Sequence, residues 1–370
     1  MPIPYNSGEF VLSRGKINYQ AVLDDFPNAK QVRVLTYNIS KKNYKNELID
    51  ALKALTEDVD VQIISNVPSR MQNYYNTLAG DAYREKYRSS YTIYLDRLNP
   101  ECFPSNPKVA FNFDNHAKIV GTDNIVYIGS ANYSDESKAN IESGTLIRDK
   151  DFIQKLYEDV FPVILDDSTP YFDDNYNVLR LFVISMEHKF SKWLEKFDNE
   201  LIFTNSNNAQ RSIADYFNFD VNDLQELDVD VNELCNFIGL LEDTFSEDDD
   251  EYNTLIEELE KSMLGIGLDW VANFTIIDSP FYEFLMFDEE DLTNEYISEN
   301  PYAHDENLDA CVEAAMSQVS DEYNCMRYAI EDDIIYLRDE ISGIVDVLKR
   351  THEETLEFFN KWAIHKVDNT

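Results

Sequence analysis

Four side chains between residues 116 and 132 have the types and the spacing to act together on a phosphate ester. His116 and Lys118 are separated by one residue, and Ser130 and Asn132 repeat that separation. In a β-strand, residues i and i+2 point to the same face. Two neighbouring strands would therefore present an imidazole, a cation and two hydrogen-bonding groups to one pocket. This set of functional groups suits nucleophilic attack on a phosphodiester.

The residues around these pairs have the patterns of strands and turns. Residues 108–113 alternate between polar and apolar, residues 121–124 have a turn composition, and residues 125–128 are a compact β-branched run. Such a run is typical of a buried strand. A single histidine near a strand end, or a Gly-Ser-Ala-Asn tetrapeptide, is usually structural. The conjunction with Lys118 and Asp123 instead indicates an active site.

The whole arrangement resembles the signature of the phospholipase D superfamily, His-x-Lys-x4-Asp followed by Gly-Ser-x-Asn. The matching residues are His116, Lys118, Asp123, Gly129, Ser130 and Asn132. Farther on, Asn140-Ile141-Glu142 is similar to the family's Asn-x-Glu element, whose carboxylate commonly supports the histidine. The broader resemblance covers roughly residues 1–150. It implies an α/β fold with a phospholipase D-like mixed sheet flanked by helices.

The resemblance also implies roles for these residues. His116 attacks phosphorus and forms a covalent phosphohistidine, which splits the reaction into two steps. Lys118 and Asn132 hold the non-bridging oxygens, and Ser130 adds a hydrogen bond. Glu142 hydrogen-bonds the second imidazole nitrogen and fixes the tautomer. The motif aspartate, Asp123, is expected to be structural or supporting rather than directly catalytic.

A leaving oxygen must be protonated by a general acid. In the superfamily this acid is a histidine from a second His-x-Lys motif, and the present chain has one such motif only. Superfamily members with a single motif form homodimers in which two copies share one site. The resemblance therefore implies a homodimer. It also implies metal-independent chemistry, with the cations supplied by two copies of Lys118.

The cysteines and histidines do not suggest a metal site. The four cysteines are scattered without a Cys-x-x-Cys pair, and the five histidines form no His-Glu-x-x-His. We expect no metal and no cofactor, with reduced thiols as in a cytosol. The first 20 residues have no signal-like apolar core, and no apolar run approaches the length of a membrane span. We therefore expect a cytoplasmic protein without a membrane partner.

Charge is distributed unevenly along the chain. Of 31 Lys+Arg and 71 Asp+Glu, residues 1–150 hold 18 of each, so the whole net charge of −40 lies in residues 151–370. An acidic surface repels nucleic acid and anionic membranes over about 8–10 Å. Two interpretations stay open. The charge can serve solubility, or it can form a surface that docks a protein partner or shields the active site.

The periodicity predicts two domains. Residues 31–40 and 59–65 have strand patterns on either side of a helical pattern at residues 44–55, which suits a parallel or mixed sheet. From residue 151 onward the pattern is mainly helical. We therefore predict a phospholipase D-like catalytic domain over 1–150 and an acidic, mainly helical domain over 151–370.

Two long amphipathic helices are predicted in the second part, over residues 176–197 and 332–362. The apolar seam of the second helix keeps a heptad-like spacing at first and then shifts register. Such a seam fits burial within its own domain or a dimer contact.

Basic residues outside the motif are candidates for substrate binding. Arg70 lies in a loop after a predicted strand, and Arg84 and Arg88 belong to a basic helical segment over residues 83–98. For Arg70 a solvated loop arginine is the alternative. A basic segment near the site suits a polyanion.

The sequence as a whole favours a metal-independent nuclease. Single-motif family members of this size resemble bacterial endonucleases, including defence-associated ones, and an antiviral role follows from that resemblance. Two alternatives remain: a lipid phosphodiesterase, and a non-enzymatic or regulatory protein that binds a partner through residues 151–370.

Overall fold

The computed structural model describes residues 3, 6–39, 46–67, 88–133, 139–172, 176–205, 210–214, 216–239, 250–301, 303 and 307–368, with backbone only at 88–90, 205, 210 and 358–368. The strands are β1 (Gly8–Arg14), β2 (Gln31–Thr36), β3 (Asp60–Ser65), β4 (Lys108–Phe111), β5 (Ile119–Thr122), β6 (Val126–Gly129), β7 (Ile141–Ile147), β8 (Thr169–Pro170), β9 (Ile202–Asn205) and β10 (Gln210–Ile213).

The helices are distributed on both sides of residue 150. They are α1 (Gln20–Leu23), α2 (Glu47–Lys53), α3 (Arg88–Leu98), α4 (Lys150–Lys155), α5 (Phe161–Asp166), α6 (Asn177–Lys196), α7 (Val221–Gly239), α8 (Asp250–Gly265), α9 (Leu268–Thr275), α10 (Pro280–Leu285), α11 (Glu289–Glu299) and α12 (Leu308–Asp368). Wide π-helical turns continue α4 and α6 at Leu156–Val160 and Phe197–Leu201. None of the helices in the described residues combines the length and low polarity that a membrane crossing requires.

The first eight strands form one mixed sheet in the order β1-β7-β6-β5-β2-β3-β4-β8. β2, β3 and β4 are parallel neighbours, and the other neighbouring pairs are antiparallel. β2 and β3 are rich in Val and Ile and mostly buried, as expected of strands covered on both faces. Leu35, Ile119 and Ile128 stand opposite one another across β2, β5 and β6, which fixes the register of the central strands.

One face of the sheet is covered by α4, the π-helical turn and α5. The apolar side chains of these elements pack on the sheet in a single buried cluster of Leu35, Ile64, Ile119, Val126, Ile147, Phe152, Ile153, Leu156, Tyr157 and Phe161. Asp149 begins α4 as its N-cap and accepts hydrogen bonds from the backbone N–H groups of Asp151 and Phe152. The predicted α/β architecture, a mixed sheet flanked by helices and followed by a mostly helical C-terminal region, is confirmed.

The chain divides into two compact units. The first comprises residues 1–70, 78–182 and 359–370, and the second comprises residues 71–77 and 183–358. The sequence-based domains, 1–150 and 151–370, stay a prediction.

The second unit contains a buried ionic network between α6 and α7. Lys189 Nζ lies 2.7 Å from both Asp230 Oδ1 and Glu233 Oε2, and Trp193 Nε1 donates to Asp230 Oδ2 at 2.9 Å. Burial alone would lower the pKa of Lys189, but the two carboxylates outweigh it and hold the pKa above its ordinary value. The ammonium is therefore charged and links the two helices. Removing one member would leave an uncompensated buried charge.

Several predicted elements have shifted ends in the structure. The strand predicted over 31–40 ends at Thr36, because the Thr36 hydroxyl bonds to the backbone N–H and carbonyl of Asn38 and turns the chain. The long helix predicted over 176–197 is α6, and the one predicted over 332–362 lies within the much longer α12.

Candidate active site

The motif residues meet at one edge of the sheet. His116 and Lys118 immediately precede β5, Ser130 and Asn132 follow β6, and Glu142 is the second residue of β7. Because β5, β6 and β7 are antiparallel neighbours, the start of β5, the end of β6 and the start of β7 lie side by side. The sheet topology thus converts a pattern spread over 27 residues into one cluster.

The ladder continues beyond the ends of these strands. Gly129 N donates to the carbonyl of Lys118 at 3.2 Å, and Ser130 N donates to the carbonyl of Ser143 at 2.9 Å. The sequence predicted His116 and Lys118 within a strand, but β5 begins at Ile119. Both residues instead occupy the segment that leads into it. The His116 side chain is exposed in this segment.

His116 and Lys118 contact each other directly. Lys118 Nζ lies 3.2 Å from His116 Nδ1 and also donates to the His116 carbonyl. His116 is exposed, whereas Lys118 is only 7% exposed. Burial lowers the pKa of the Lys118 ammonium, and the negative charge of Glu142 partly opposes that effect. The site therefore holds a partly desolvated cation beneath a solvent-accessible imidazole.

This contact bears on the tautomer of His116. An ammonium has donors only, so Nδ1 accepts, and a neutral ring then carries its proton on Nε2. In that tautomer Nε2–H can donate a hydrogen bond to an oxygen of a bound phosphate. Attack through Nε2 requires Lys118 to turn to another acceptor, and a phosphate oxygen is such an acceptor.

Ser130 and Glu142 form the other half of the cluster. The Ser130 hydroxyl donates to Glu142 Oε2, and Ser143 N donates to the Ser130 hydroxyl at 3.1 Å. Glu142 is 7% exposed. The resemblance implied that Glu142 accepts a hydrogen bond from the His116 imidazole. In the described part of the chain the carboxylate instead binds Ser130 and acts on Lys118 through its charge.

A buried tyrosine explains the glycine of the Gly-Ser-x-Asn motif. A Cβ atom at Gly129 or at Gly144, its partner across β6 and β7, would lie less than 3.0 Å from the side chain of Tyr127. Tyr127 is fully buried, and its hydroxyl donates to the Ser143 carbonyl at 3.1 Å. Two glycines therefore leave room for the ring, which supports the backbone that Ser130 binds.

Asp123 lies at the opposite end of β5 from His116. Its Oδ1 atom accepts the backbone N–H groups of Lys30 at 2.8 Å and Gln31 at 3.3 Å. Burial would raise the pKa of Asp123, but these hydrogen bonds prevail and the pKa lies below its ordinary value. At about 3.3 Å per residue, the strand separates Asp123 from His116 by roughly 20 Å. Its contacts anchor the start of β2.

Asn132 is half-buried and lies two residues beyond Ser130. The next residue, Tyr133, forms a parallel bridge with Ile39, so the segment after β6 runs beside the chain that leaves β2.

Three predicted substrate-binding residues have no described side chain. Arg70 and Arg84 lie outside the described residues, and Arg88 begins α3 with its backbone alone described.

The motif did not identify Tyr37 as part of the site. This residue follows β2, and its ring centroid lies 4.5 Å from that of His116. Lys118 Nζ lies 5.1 Å from the centroid of the same ring. No local pattern could place Tyr37 here, because the contact depends on the pairing of β2 with β5.

Among the described residues, no group of three or more His, Cys, Asp or Glu side chains is arranged to hold a metal ion.

One family model matches part of the chain. Residues 24–161 match the family model described as cardiolipin synthase, phospholipase D-like domain. No curated protein matches the chain.

Several solved structures are similar to it at low identity. Nuc from Salmonella typhimurium, a phospholipase D family member, is 17% identical, with 45% of this chain and 97% of that chain covered and a TM-score of 0.31. NucT from Helicobacter pylori is 19% identical, with 45% and 100% covered and a TM-score of 0.31. Phosphatidylserine synthase from Haemophilus influenzae Rd KW20 is 16% identical, with 50% and 47% covered and a TM-score of 0.34.

Proposed function

We propose, from the premise that residues 24–161 form a phospholipase D-like domain, that this chain hydrolyses phosphodiesters with His116 as the nucleophile. The observation that carries the proposal is the contact between an exposed imidazole and a buried ammonium, Lys118 Nζ to His116 Nδ1 at 3.2 Å. Ser130 and Glu142 lie at the same edge of the sheet. An anionic diester entering from solvent meets the imidazole first and the cation behind it.

The reaction runs in two steps. Lys118 turns from Nδ1 to a non-bridging oxygen of the bound diester, which frees the ring to carry its proton on Nδ1. His116 Nε2 then attacks phosphorus, the bond to the leaving oxygen breaks, and that oxygen takes a proton from a general acid. In the second step the histidine that acted as acid, now neutral, takes a proton from water while that water attacks phosphorus. The P–N bond breaks, the phosphomonoester is released, and the attacking imidazole is regenerated.

A homodimer supplies the general acid. The chain contains one His-x-Lys motif, so the second histidine comes from a second copy. The His116 ring of that copy, in its doubly protonated imidazolium form, gives a proton to the leaving oxygen and becomes a neutral imidazole. We therefore propose that two copies face each other across a two-fold axis and that one histidine attacks while the other acts as acid.

Nucleic acid is the substrate we propose. The exposed site accommodates a chain that continues on both sides of the scissile bond, because both His116 and Ser130 are open to solvent. Residues 1–150 are electrically neutral and so oppose a polyanion less than the rest of the chain does. We further propose a nuclease of bacterial defence, following the resemblance of single-motif members to such enzymes.

A phospholipid is the second candidate substrate. The matching family model is described as a cardiolipin synthase domain, and the same phosphohistidine chemistry would serve with an alcohol in place of water. For residues 151–370 we propose a regulatory role, in which the acidic surface docks a protein partner or restricts access to the site.

One experiment separates these possibilities. The full chain is incubated with labelled DNA, labelled RNA and phospholipid vesicles in excess EDTA, alongside His116→Ala. Cleavage of a nucleic acid by the wild type alone supports the proposal, and turnover of the vesicles alone favours the lipid candidate. Absence of hydrolysis with all three substrates would leave a non-enzymatic partner-binding protein.

A further inference from the structure

We infer that Tyr37 is a positioning residue that holds His116 and Lys118 in their working arrangement. Its ring contacts both: the centroid lies 4.5 Å from the His116 ring at an interplanar angle of 53°, and 5.1 Å from Lys118 Nζ. Tyr37 lies outside the His-x-Lys and Gly-Ser-x-Asn motifs and reaches the site from the end of a different strand, β2. The inference rests on the proposed function only where turnover is measured.

The backbone on both sides of Tyr37 is fixed by a buried network. Asn38 N donates to the Thr36 hydroxyl at 3.2 Å, and that hydroxyl donates to the Asn38 carbonyl at 3.0 Å. The Tyr94 hydroxyl donates to Asn38 Oδ1 at 2.6 Å and accepts from Ile39 N at 3.3 Å. Thr36 and Tyr94 are fully buried. The Tyr37 ring is therefore presented to the site by a frame that cannot move without breaking buried hydrogen bonds.

The ring stabilises the charged form of Lys118. A cation within about 6 Å of an aromatic centroid is attracted to its face, and more strongly where water is excluded. Lys118 is nearly buried, so its ammonium has lost much of its hydration. Three described groups oppose that loss: the ring of Tyr37, the carboxylate of Glu142 and the His116 carbonyl, which accepts a hydrogen bond from the ammonium. The His116 ring also faces this ammonium, as an uncharged acceptor at Nδ1.

The same ring orients the imidazole. His116 is exposed, and among the described residues its side chain contacts Tyr37 and Lys118. During turnover Lys118 turns to the phosphate, and Tyr37 then remains as the contact that fixes the plane of the imidazole. Misplacement of a reacting group by about 1 Å can cost about 100-fold in rate.

The ring rather than the hydroxyl carries this role. No described residue forms a hydrogen bond with the Tyr37 hydroxyl. Tyr37→Phe therefore keeps both ring contacts, whereas Tyr37→Leu removes the ring and keeps an apolar side chain. A third variant, Tyr37→Met, also lacks the ring and serves if the leucine variant does not fold. Tyr216→Leu is the control, because Tyr216 is 96% exposed.

The first measurement is the pH profile of phosphodiester turnover by the full chain. Tyr37→Leu is expected to lower kcat by about 10–100-fold. It is also expected to move the alkaline limb to lower pH, because the Lys118 ammonium loses a stabilising contact and deprotonates earlier. Tyr37→Phe and Tyr216→Leu are expected to stay within about twofold of the wild type with an unchanged limb. A leucine variant with unaltered kcat and pH profile overturns the inference.

The second measurement does not need activity. In protein labelled at histidine, the ring current of Tyr37 shifts the His116 imidazole resonance, which His116→Ala identifies. Tyr37→Leu is expected to move this resonance, and Tyr37→Phe is expected to preserve it. A resonance insensitive to the leucine and methionine variants overturns the inference. If the wild type turns over no phosphodiester, the proposed function fails, and the resonance alone decides the role of Tyr37.

Discussion

Replacing His116 by alanine should abolish turnover and barely change stability. The side chain is exposed and has two described partners, the Tyr37 ring and Lys118 Nζ. The backbone carbonyl that also accepts from Lys118 is retained in the variant. The lost contacts amount to about 1 kcal/mol, which corresponds to a decrease in Tm of about 2–4 °C. The loss in kcat should be on the order of 10⁴–10⁶, because no other group provides the covalent route.

The assay separates the two effects. Hydrolysis of bis(4-nitrophenyl) phosphate is followed in EDTA, Tm is followed by circular dichroism, and a denaturing alkaline quench of wild-type protein during turnover is analysed for phosphohistidine. His352→Ala is the matched histidine control: this residue contacts Glu187 in the second unit, and its loss should leave the phosphohistidine signal unchanged. Full activity in His116→Ala refutes the assignment. So does a wild type that turns over with no covalent adduct under any quench.

The remaining predictions concern protonation, metal, assembly and charge. Glu142→Gln should move the alkaline limb of kcat/KM to lower pH, since the carboxylate raises the pKa of Lys118. An unmoved limb would mean that Glu142 does not influence the protonation of Lys118. Wild-type activity should persist in excess EDTA, because Lys118 supplies positive charge at the phosphate; strict magnesium dependence of the chemical step contradicts this. Light scattering at concentrations of full activity should show a homodimer, and a purely monomeric active protein would be inconsistent with the shared site. Affinity for a short DNA should change little or rise between about 50 and 200 mM salt, whereas a steep decrease would exclude a role for the acidic surface near the site.

The parts of the site that the sequence predicted are those encoded locally. His116 and Lys118, and likewise Ser130 and Asn132, are separated by one residue, and the strand β6 between the pairs is a run of β-branched and aromatic residues. Period-two geometry and turn composition depend on neighbours in sequence, so they can be recognised without knowledge of the fold. The same holds for α6, whose apolar positions recur at three- and four-residue steps.

The parts that the sequence did not predict depend on pairing between distant segments. Tyr37 reaches His116 because β2 lies beside β5. The motif glycine, Gly129, is required because the Tyr127 ring occupies the space that a Cβ atom would need there and at Gly144 of β7. The motif pattern contains neither relation. The partner of Glu142 is a similar case, because Ser130 reaches the carboxylate only through the β6–β7 register. Local pattern thus predicted the candidate reacting groups, and strand order determines what surrounds them in the structure.

Under the proposed function, the charge in the site itself predicts that phosphodiester binding does not follow the usual salt dependence. Lys118 contributes one positive charge and Glu142 one negative charge, so this pair adds no net attraction for a phosphodiester at long range. Residues 151–370 add a net charge of −40. Under the proposed function, stabilisation of a bound phosphodiester comes at short range, from a partly desolvated ammonium and from the hydrogen-bonding groups beside it. Short-range contacts of this kind are screened little by salt, whereas the long-range repulsion is screened strongly. Raising the salt concentration therefore removes an obstacle to binding without weakening the contacts that hold the phosphate.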